Sequence, residues 1–259
     1  MIDTLLKARF NWPGLILILL LIAGWEIWSQ AADSFTFPKA SGVAQILIED
    51  HAAILTATAT TLRRAAIGFG IALVTMLPLG IFLGRVRVVG EIVEPVIEFL
   101  RPLPPIAVVP LAMMVLGIGD AAKLVVVVFG ASFPILVNTI DAVKVQDPMQ
   151  ARLARSLRLT TLERMVMIDL PAALPRIFAG IRLAITVSVL LTVVAEIILS
   201  SDGLGDYLRL AQSDFNMTKV MTAIIVIAIV SVIVNGATNW ASRRLLDWHY
   251  RRSALGGRQ

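Results

Sequence analysis

Long apolar blocks dominate this sequence and leave few folds open to it. Six of them can be distinguished, at roughly 12–30, 61–84, 92–117, 121–141, 176–199 and 219–241. A helix needs about 20 apolar residues to cross the hydrocarbon core of a bilayer. Charged residues make up only 16% of the chain, against about 25% in an average soluble domain. The sequence therefore predicts an all-α membrane protein with six transmembrane helices in a single domain, 1–259.

The first block follows two basic residues, Lys7 and Arg9, which is also the pattern of a secretory signal peptide. A signal peptide ends in a cleavage site of small residues, whereas the apolar run Leu15–Gly24 continues here into Trp25 and Trp28. Tryptophan is enriched at the membrane–water interface. We therefore expect an uncleaved first span with the N-terminus in the cytoplasm.

Lysine and arginine are distributed unevenly between the two sides that six spans define. Fifteen fall on the side of the N-terminus, before 12, between 84 and 92, between 141 and 177, and after 241. The opposite side holds six, and Arg101 and Arg182 lie within spans. Cytoplasmic segments carry the basic excess in membrane proteins, so both termini and the loop 142–175 are expected in the cytoplasm. This topology explains the net charge of +5 without a nucleic-acid partner.

The chain lacks the residues of several enzyme classes. It has no cysteine, which excludes disulfides, thiolate metal sites and thiol nucleophiles. Its two histidines, His51 and His249, are far apart in sequence. Neither a GxxxxGK[ST] phosphate loop nor an HExxH or nucleophile-elbow motif occurs. The sequence therefore predicts no catalytic residue, no metal site and no cofactor in this chain.

The loop 142–175 contains a polar stretch, DPMQARLARSLRLTTLERMVMIDLP at 147–171, with the signals of two short helices. Asp147 followed by Pro148 is an N-cap with proline at the first helical position. Met149, Leu153 and Leu157 then recur at every fourth residue and form one apolar stripe. Another side of this first helix carries Arg152, Arg155 and Arg158.

A second short helix is expected from Thr161 to Asp169. Thr160 and Glu163 have the spacing of a capping box, and Pro171 is expected to end the helix. Three interpretations remain open: a DNA-reading helix-turn-helix, a solvated loop whose arginines enforce topology, and a docking element for a cytoplasmic partner. A loop held to a bilayer at both ends cannot easily enter a DNA groove, and a purely topological loop needs no apolar stripe. We therefore favour docking.

Prolines interrupt the third block. Its sequence FLRPLPPIAVVPLAMMVLGIGD, at 99–120, holds Pro102, Pro104, Pro105 and Pro110. Proline is tolerated in a membrane helix where neighbours or water satisfy the carbonyls that it frees, so we expect an interrupted helix that lines a pathway. Arg101 lies about ten residues into this span, and a charge within the membrane indicates a functional site by default. Snorkelling to the interface is the alternative.

Glu196 lies near the outer end of the fifth block, in VVAEIILSSDGLGDYL. It is expected to pair with a cation, to cap a turn or to face a cavity. Gly203 and Gly205 provide the backbone freedom for a tight turn, although an ordinary loop explains them equally well. Arg101, the prolines at 102, 104 and 105, Glu196 and these two glycines are our candidates for a pathway or gate.

Several blocks resemble the permeases of binding-protein-dependent ABC importers, in the branch for nitrate, sulfonates and taurine. FLRPLPPIAVVPL is similar to the family's RPxPPxAxxPL, GIGDAAK to GIGExSK, FPILVNT to FPxxxNT, and AEIILSSDGLGDYL to AExIxxSxGLGxxI. TFPKASGV is similar to the FPxPxxV start of the family's outer loop. The blocks follow the family's order over nearly the whole chain, which makes the resemblance specific.

The resemblance implies a six-span type I importer permease in the inner membrane, surrounded by lipid. It further implies a second permease copy, most simply in a homodimer, together with two cytoplasmic ABC ATPase subunits that bind ATP-Mg and a periplasmic or extracellular substrate-binding protein. The loop helices would then be coupling helices that insert into a cleft on each ATPase. The chain itself would catalyse no reaction, and nucleic acid would not be a partner.

The resemblance also assigns ATPase coupling to residues of the stretch 147–171. They are Asp147, Met149, Arg152, Leu153, Ala154, Arg155, Leu157, Arg158, Thr160, Leu170 and Pro171. In ungapped register the family's Glu-Ala-Ala falls on 152–154 and its glycine on Arg158, so only Ala154 matches. A positive φ at Arg158 would cost about 1 kcal/mol. We expect acidic residues on the partner ATPase to compensate, in which case Arg152→Glu lowers transport-coupled ATP hydrolysis.

On this basis the predicted function is to form the translocation pathway of an importer for a small, anionic solute such as nitrate, an alkanesulfonate or taurine. A stand-alone channel or secondary transporter is the alternative from another class. The sequence has no run of intramembrane carboxylates for a proton relay, which argues against the alternative. The identity of the solute does not follow from this chain, because specificity in such importers resides mainly in the binding protein.

Overall fold

A computed structural model shows the fold and describes residues 12–32, 37–144, 149, 152, 154, 156–199 and 201–245. This part of the chain is helical almost throughout and contains no strand, which confirms the all-α fold class. The α-helices are α1 (Trp12–Ala32), α2 (Ala40–Glu49), α3 (His51–Arg85), α4 (Arg87–Leu100), α5 (Val109–Leu116), α6 (Asp120–Lys144), α7 (Thr161–Arg164), α8 (Leu170–Leu199), α9 (Leu204–Ser213) and α10 (Met217–Leu245). A 3₁₀ turn, Pro105–Val108, precedes α5, and a π-helical turn, Met165–Asp169, joins α7 to α8.

Among the described residues, five helical segments are long and apolar enough to cross a membrane: α1, α3, α6, Met165–Leu199 and α10. The remaining expected span, 92–117, consists of two helical pieces, Arg87–Leu100 and Pro105–Leu116, that meet at an angle of 89°. Pro102 and Pro104 lie between them and lack the N–H needed to continue a helix. The predicted interruption of this block is therefore present, as a sharp bend.

α3 begins at His51, well before the expected start of the second span at 61. The segment between the first two expected spans thus holds α2 and the first turns of α3. Ile54 in those turns is buried and packs with Leu204 and Val226. This tertiary contact extends the helix beyond its apolar block, and a single sequence does not display it.

Pro171 does not end a helix, contrary to expectation. It is the second residue of α8, which continues to Leu199. In the preceding π-helical turn the Leu170 N–H donates to the Met165 carbonyl oxygen, five residues back. This turn widens the backbone where the proline ring would otherwise clash with a preceding carbonyl. The second loop helix is therefore continuous with a long span.

The core lies where α6 packs between α3 and α8. It buries Ala72, Ala131, Ile135 and Ala184 together. Gly80 of α3 permits close contact with α6, since a Cβ at this position would lie 2.7 Å from Thr139 Cβ. Small residues at helix contacts are typical of membrane proteins, in which close packing and hydrogen bonds drive helix association.

α1 lies at the edge of this bundle and is attached at its C-terminal end. Trp25 Nε1 donates to the Pro38 carbonyl oxygen at 3.0 Å, and the Glu26 carboxylate accepts from the Ser41 hydroxyl at 2.8 Å. The side chains of Leu19–Leu21 are apolar and exposed. A helix that is apolar on all sides requires an apolar environment, so this surface is suited to lipid.

Candidate functional site

One end of the bundle holds a group of charged side chains that we call the Arg64 cluster: Arg63, Arg64, Asp120, Lys123, Glu196 and Asp202. Arg64 of α3 is at its centre, and its side chain is only 3% exposed. Its guanidinium donates to Glu196 Oε1 at 2.9 Å and to Asp120 Oδ1 at 2.6 Å. It also donates to the Asp202 carboxylate and, at 3.0 Å, to the Asp202 carbonyl oxygen. One side chain therefore joins α3, α6, α8 and the turn after α8.

Glu196 of α8 is the fully buried carboxylate of the Arg64 cluster, with 0% of its side chain exposed. Besides Arg64, it accepts from the Thr61 hydroxyl at 2.8 Å and from the Gly205 N–H at 3.1 Å. A buried carboxylate is tolerated when ion pairing and hydrogen bonds compensate for its lost hydration. Two of the roles expected for Glu196, pairing with a cation and capping a turn, are thus present together.

The two glycines after α8 bring the backbone against Glu196. Gly203 has a φ of +100°, which residues with a side chain rarely adopt, and a Cβ there would overlap the Glu196 carboxylate. A Cβ at Gly205 would overlap the Val193 carbonyl oxygen of α8. Both positions require glycine for the turn to reach Glu196, so an ordinary loop does not explain them.

Lys123 and Arg64 are buried, although charge counting only placed both among the six basic residues on the side opposite the N-terminus. The Lys123 ammonium contacts the Ser201 hydroxyl and lies 3.7 Å from Asp202 Oδ1. The partners of Arg64 on α8 and beyond it lie 132 and 138 residues away in sequence, so no local pattern reveals them. The blocks GIGDAAK and AEIILSSDGLGDYL could have indicated the cluster, because they contain four of its six residues.

Charges within the Arg64 cluster balance, with three basic and three acidic side chains. Arg63 completes it through an ion pair of 3.5 Å with Asp120. Burial raises the pKa of Asp202, but hydrogen bonds from Arg64 and Ser201 outweigh burial and hold this pKa below its ordinary value. Because its charges pair with one another, the cluster is suited to hold helices together.

A second ionic contact ties α9 and α10 to the start of α3. The Asp50 carboxylate accepts from the Lys219 ammonium at 2.7 Å and from the Tyr207 hydroxyl at 2.9 Å. These two partners hold the pKa of Asp50 below its ordinary value. Burial, followed by the contact with Asp50, raises the pKa of Tyr207. This end of the molecule is therefore held together by both the Arg64 cluster and the Asp50 contact.

The loop 142–175 lies at the opposite end of the bundle, and its backbone contains a left-handed turn. Arg158 has a φ of +49°, and the Leu159 N–H donates to the Ala154 carbonyl oxygen at 3.1 Å. This hydrogen bond is the one that closes a Schellman motif, in which glycine normally occupies the left-handed position. Arg158 thus has the backbone conformation of the glycine whose position it takes in the family register.

The predicted capping box at Thr160 and Glu163 is confirmed. The Thr160 N–H and hydroxyl donate to Glu163 Oε2 at 2.8 and 2.7 Å. In return, the Glu163 N–H donates to Thr160 Oγ1 at 3.3 Å. The hydrogen bonds from Thr160 lower the pKa of Glu163. They fix the start of α7 and therefore the direction in which the chain re-enters the bundle.

Asp169 in the π-helical turn connects the loop to the bundle. Its carboxylate accepts from Arg85 Nη1 at 2.6 Å and from Arg164 Nε at 3.4 Å. Arg85 is the last residue of α3, so the end of α3, α7 and the start of α8 are held together. The sequence gives little sign of this contact, because a single aspartate before Leu-Pro forms no pattern.

The other coupling candidates differ in their exposure. Met149 and Leu157 are 72% and 58% exposed. The polar candidates Arg152, Arg158 and Thr160 are exposed, Leu170 and Pro171 are half-buried, and Ala154 is buried. Asp147, Leu153 and Arg155 lie outside the described residues. This end of the molecule therefore presents both basic and apolar side chains to its surroundings.

Two cavities meet at the bend after α4, and Arg101 lines both, as does Val137 of α6. One cavity, of about 210 Å³, has a lining rich in charged residues of α4 and α6. The other, of about 270 Å³, has a mostly apolar lining that includes Pro105. Pro102 and Pro104 are exposed at the bend. The gate candidates thus form two groups, one at this bend and one in the Arg64 cluster.

Comparison with known proteins adds a family match to this geometry. The family model described as binding-protein-dependent transport system inner membrane component matches residues 76–247. The matched region begins within α3 and includes the bend after α4, the loop 142–175 and the helices α8 to α10. It therefore contains the loop candidates and all of the gate candidates.

Individual proteins resemble the chain over most of its length. The putative aliphatic sulfonates transport permease of Bacillus subtilis is 30% identical over 249 residues, which cover 93% of this chain and 90% of that protein. The bicarbonate transport system permease of Synechococcus elongatus is 33% identical over 190 residues, covering 73% and 68%. A solved inward-facing MetNI methionine ABC transporter matches with a TM-score of 0.65 at 18% identity, over 76% of this chain and 97% of the matched chain. This last likeness shows the type I importer fold.

Proposed function

The chain belongs to the family of binding-protein-dependent transport system inner membrane components, in its nitrate/sulfonate/taurine-type branch, and we propose that it forms the translocation pathway of an ATP-driven importer. It is a multi-pass membrane protein and the permease component of an ABC transporter. In the proposed complex, ATP-Mg is bound and hydrolysed by a separate ATPase subunit, and the chain itself performs no chemical step.

The loop 142–175 is the observation that carries this proposal. Its backbone is fixed by the Schellman turn at Arg158 and by the capping box at Thr160 and Glu163, while Met149 and Leu157 are exposed. A turn of fixed backbone that exposes apolar side chains beside arginines is suited to enter a cleft on another protein. We therefore assign docking of the ATPase to the residues of the stretch 147–171 given above.

Asp169 connects the docked loop mechanically to the membrane helices. Its ion pairs with Arg85 and Arg164 join α7 to the end of α3, and α8 follows without a break. A displacement of the loop by the ATPase would therefore move α3 and α8 together, as a packed unit. The Arg64 cluster holds the same helices at the other end, so the movement would be a rotation of the whole bundle and not a bending of single helices.

The proposed complex contains two copies of this chain, most simply as a homodimer, two ATPase subunits and one substrate-binding protein, in a lipid bilayer. The loop 142–175 and both termini face the cytoplasm, as the distribution of lysine and arginine indicates. The Arg64 cluster then lies at the outer side, where a binding protein delivers the solute. We propose that the bend with Pro102, Pro104 and Pro105 lines the pathway, and that Glu196 with its two glycines closes the outer end.

The solute proposed for this importer is a small oxyanion or sulfonate. The named relatives transport aliphatic sulfonates in one case and bicarbonate in the other, and both solutes carry a negative charge on oxygen. Nitrate is likewise an oxyanion, and taurine is a sulfonate that also carries an ammonium group. A small anion also fits the cavity of about 270 Å³ at the bend.

Reconstitution tests this function. The chain is placed in proteoliposomes with its cognate ATPase and binding protein, and uptake of ethanesulfonate, taurine, nitrate and bicarbonate is measured. We expect uptake of at least one of these solutes to require the binding protein, the ATPase and ATP together. Uptake by the chain alone, without ATP, would instead establish a channel or a secondary transporter.

A further inference from the structure

Arg101 has a position that is difficult to explain by packing. It lies at the C-terminal end of α4, where the chain turns through 89°. Its side chain is exposed, and no described carboxylate forms an ion pair with it. Arg101 and Val137 line both cavities together. At a rise of 1.5 Å per residue, Val137 lies about 25 Å along α6 from Asp120 of the Arg64 cluster. Arg101 therefore lies far from the Arg64 cluster, toward the end of α6 that leads into the loop 142–175.

An unpaired charge within a membrane-spanning bundle must face water or a ligand, because hydrocarbon does not solvate it. The cavity of about 270 Å³ provides this environment. Leu103, Pro105, Phe133 and Asn138 contribute to its wall, and Arg101 is the one charged residue among the described residues that line it. A guanidinium in an apolar cavity attracts anions more strongly than one in bulk water. Its planar arrangement of donors matches the oxygens of a sulfonate, nitrate or carboxylate group.

The second cavity has the opposite character. Its lining includes Glu94, Glu98 and Asp141 as well as Arg101 and Lys144. Lys144 Nζ lies 3.1 Å from Glu94 Oε2, so these two charges compensate each other. Glu98 and Asp141 form no ion pair with a described residue, and they leave this cavity with negative charge. An anion that passes Arg101 toward the loop 142–175 therefore meets a repulsive potential.

We propose that the Arg101 guanidinium binds the transported anion within the membrane, and that Glu98 and Asp141 weaken this binding so that the anion is released toward the loop 142–175. Transport requires a site that binds strongly enough for entry and weakly enough for exit. One arginine shared between an apolar and an acidic cavity satisfies both requirements. This inference rests on the proposed function and specifies which group contacts the solute.

The absence of cysteine from the sequence permits a direct test of the charge. Arg101→Cys introduces the only thiol in the purified chain. This variant is labelled before it is assembled with the ATPase and the binding protein. One sample receives aminoethyl methanethiosulfonate, which adds a positive charge, and another receives sulfonatoethyl methanethiosulfonate, which adds a negative one. We expect anion uptake to fall at least about tenfold in unlabelled Arg101→Cys, as for loss of a charged hydrogen bond. The positive label restores a substantial part of the uptake and the negative label restores none.

Two further variants separate binding from assembly. Arg182, whose side chain donates to Asn239 Oδ1 at 3.0 Å, is the matched control for loss of an arginine in a span. Arg182→Gln is expected to keep uptake within about twofold of wild type, and Arg101→Gln is expected to keep ATP hydrolysis while it loses uptake. In Glu98→Gln/Asp141→Asn the KM for the anion should fall together with the maximal rate, because release becomes slow.

The outcomes distinguish this inference from the proposed function. Wild-type uptake that persists in Arg101→Gln, or equal rescue by the positive and negative labels, contradicts the role of Arg101 and leaves the importer assignment intact. A wild-type complex that takes up none of the four solutes contradicts the proposed function, and the role of Arg101 with it.

Discussion

The two ends of the bundle use charged residues in opposite ways. In the Arg64 cluster, three cations pair with three carboxylates, and Arg64, Lys123 and Glu196 are buried. In the loop 142–175, Arg152 and Arg158 are exposed beside exposed apolar side chains. The first arrangement is complete within this chain, whereas the proposed function gives the second its contacts on an ATPase. In the proposed complex, the exposed apolar side chains beside the arginines, more than the number of charges, distinguish the end that binds the ATPase.

Glu196→Ala should have the largest effect on the stability of the chain. It leaves the buried Arg64 guanidinium without one of its carboxylates, and breaking a buried ion pair in this way costs about 3–5 kcal/mol. Thermal unfolding of the purified chain in detergent measures the loss. Glu98→Gln, at an exposed carboxylate, is the control and should be nearly neutral. Equal melting temperatures for Glu196→Ala and wild type would show that the Arg64 cluster does not hold this end together.

Gly203→Ala should have the next largest effect, and Gly117→Ala provides a matched control. Both glycines have a positive φ, but a Cβ at Gly117 meets nothing within 4 Å, whereas one at Gly203 meets the Glu196 carboxylate. Gly117→Ala should therefore cost about 1 kcal/mol of backbone strain. Gly203→Ala should cost about 1–3 kcal/mol more, because the carboxylate must move. Equal losses of unfolding free energy in the two variants would contradict the described packing.

Arg158→Gly should change stability in the opposite direction. Glycine adopts the left-handed conformation at 158 without strain, so this variant should gain about 1 kcal/mol of stability. Arg158→Ala keeps the positive φ without the charge and should gain nothing. If Arg158 contacts the ATPase, both variants lower the ATP hydrolysis of the assembled complex even though one of them is more stable. A stabilised variant with full ATPase activity would show that the arginine has no partner contact.

A smaller effect is expected from pH at the Asp50 contact with Lys219 and Tyr207. Because the pKa of Asp50 is lowered in the folded chain, the ion pair stabilises the fold above the ordinary carboxylate pKa of about 3.9. This stabilisation is lost as the pH falls through the lower folded-state pKa. The difference in melting temperature between wild type and Asp50→Asn should therefore be largest near pH 6 and shrink below about pH 4. A difference that is independent of pH would exclude an electrostatic contribution.

Local patterns in the sequence predicted the local structure well. The capping box at Thr160 and Glu163 and the proline interruption after Arg101 depend on neighbouring residues, and both are present. The end of the second loop helix at Pro171 was wrong, because the effect of a proline depends on whether the preceding turn can widen. The long start of α3 was missed for a related reason, since Ile54 is held by α9 and α10.

The parts of the site that could not be predicted from the sequence depend on partners far apart along the chain. Several roles were open for Glu196, and its pairing with Arg64 became visible only when α3 and α8 were placed side by side. Arg64 and Lys123 looked like topological charges because hydropathy does not distinguish a loop charge from a buried one. Asp169 gave no signal at all, since its contact with Arg85 joins two helices across 84 residues.

Binding of an ATPase at the loop 142–175 can be tested directly with a pair of matched variants. Leu157 in the loop is 58% exposed. Phe215 lies between α9 and α10, at the end of the bundle that holds the Arg64 cluster, and is 70% exposed. The affinity of the cognate ATPase is measured for the wild-type chain in nanodiscs and for Leu157→Glu and Phe215→Glu. We predict that Leu157→Glu weakens binding at least about tenfold, as at an interface hot spot, and that Phe215→Glu leaves it unchanged. Unchanged binding of Leu157→Glu, or the same loss in both variants, would contradict docking of the ATPase on this loop.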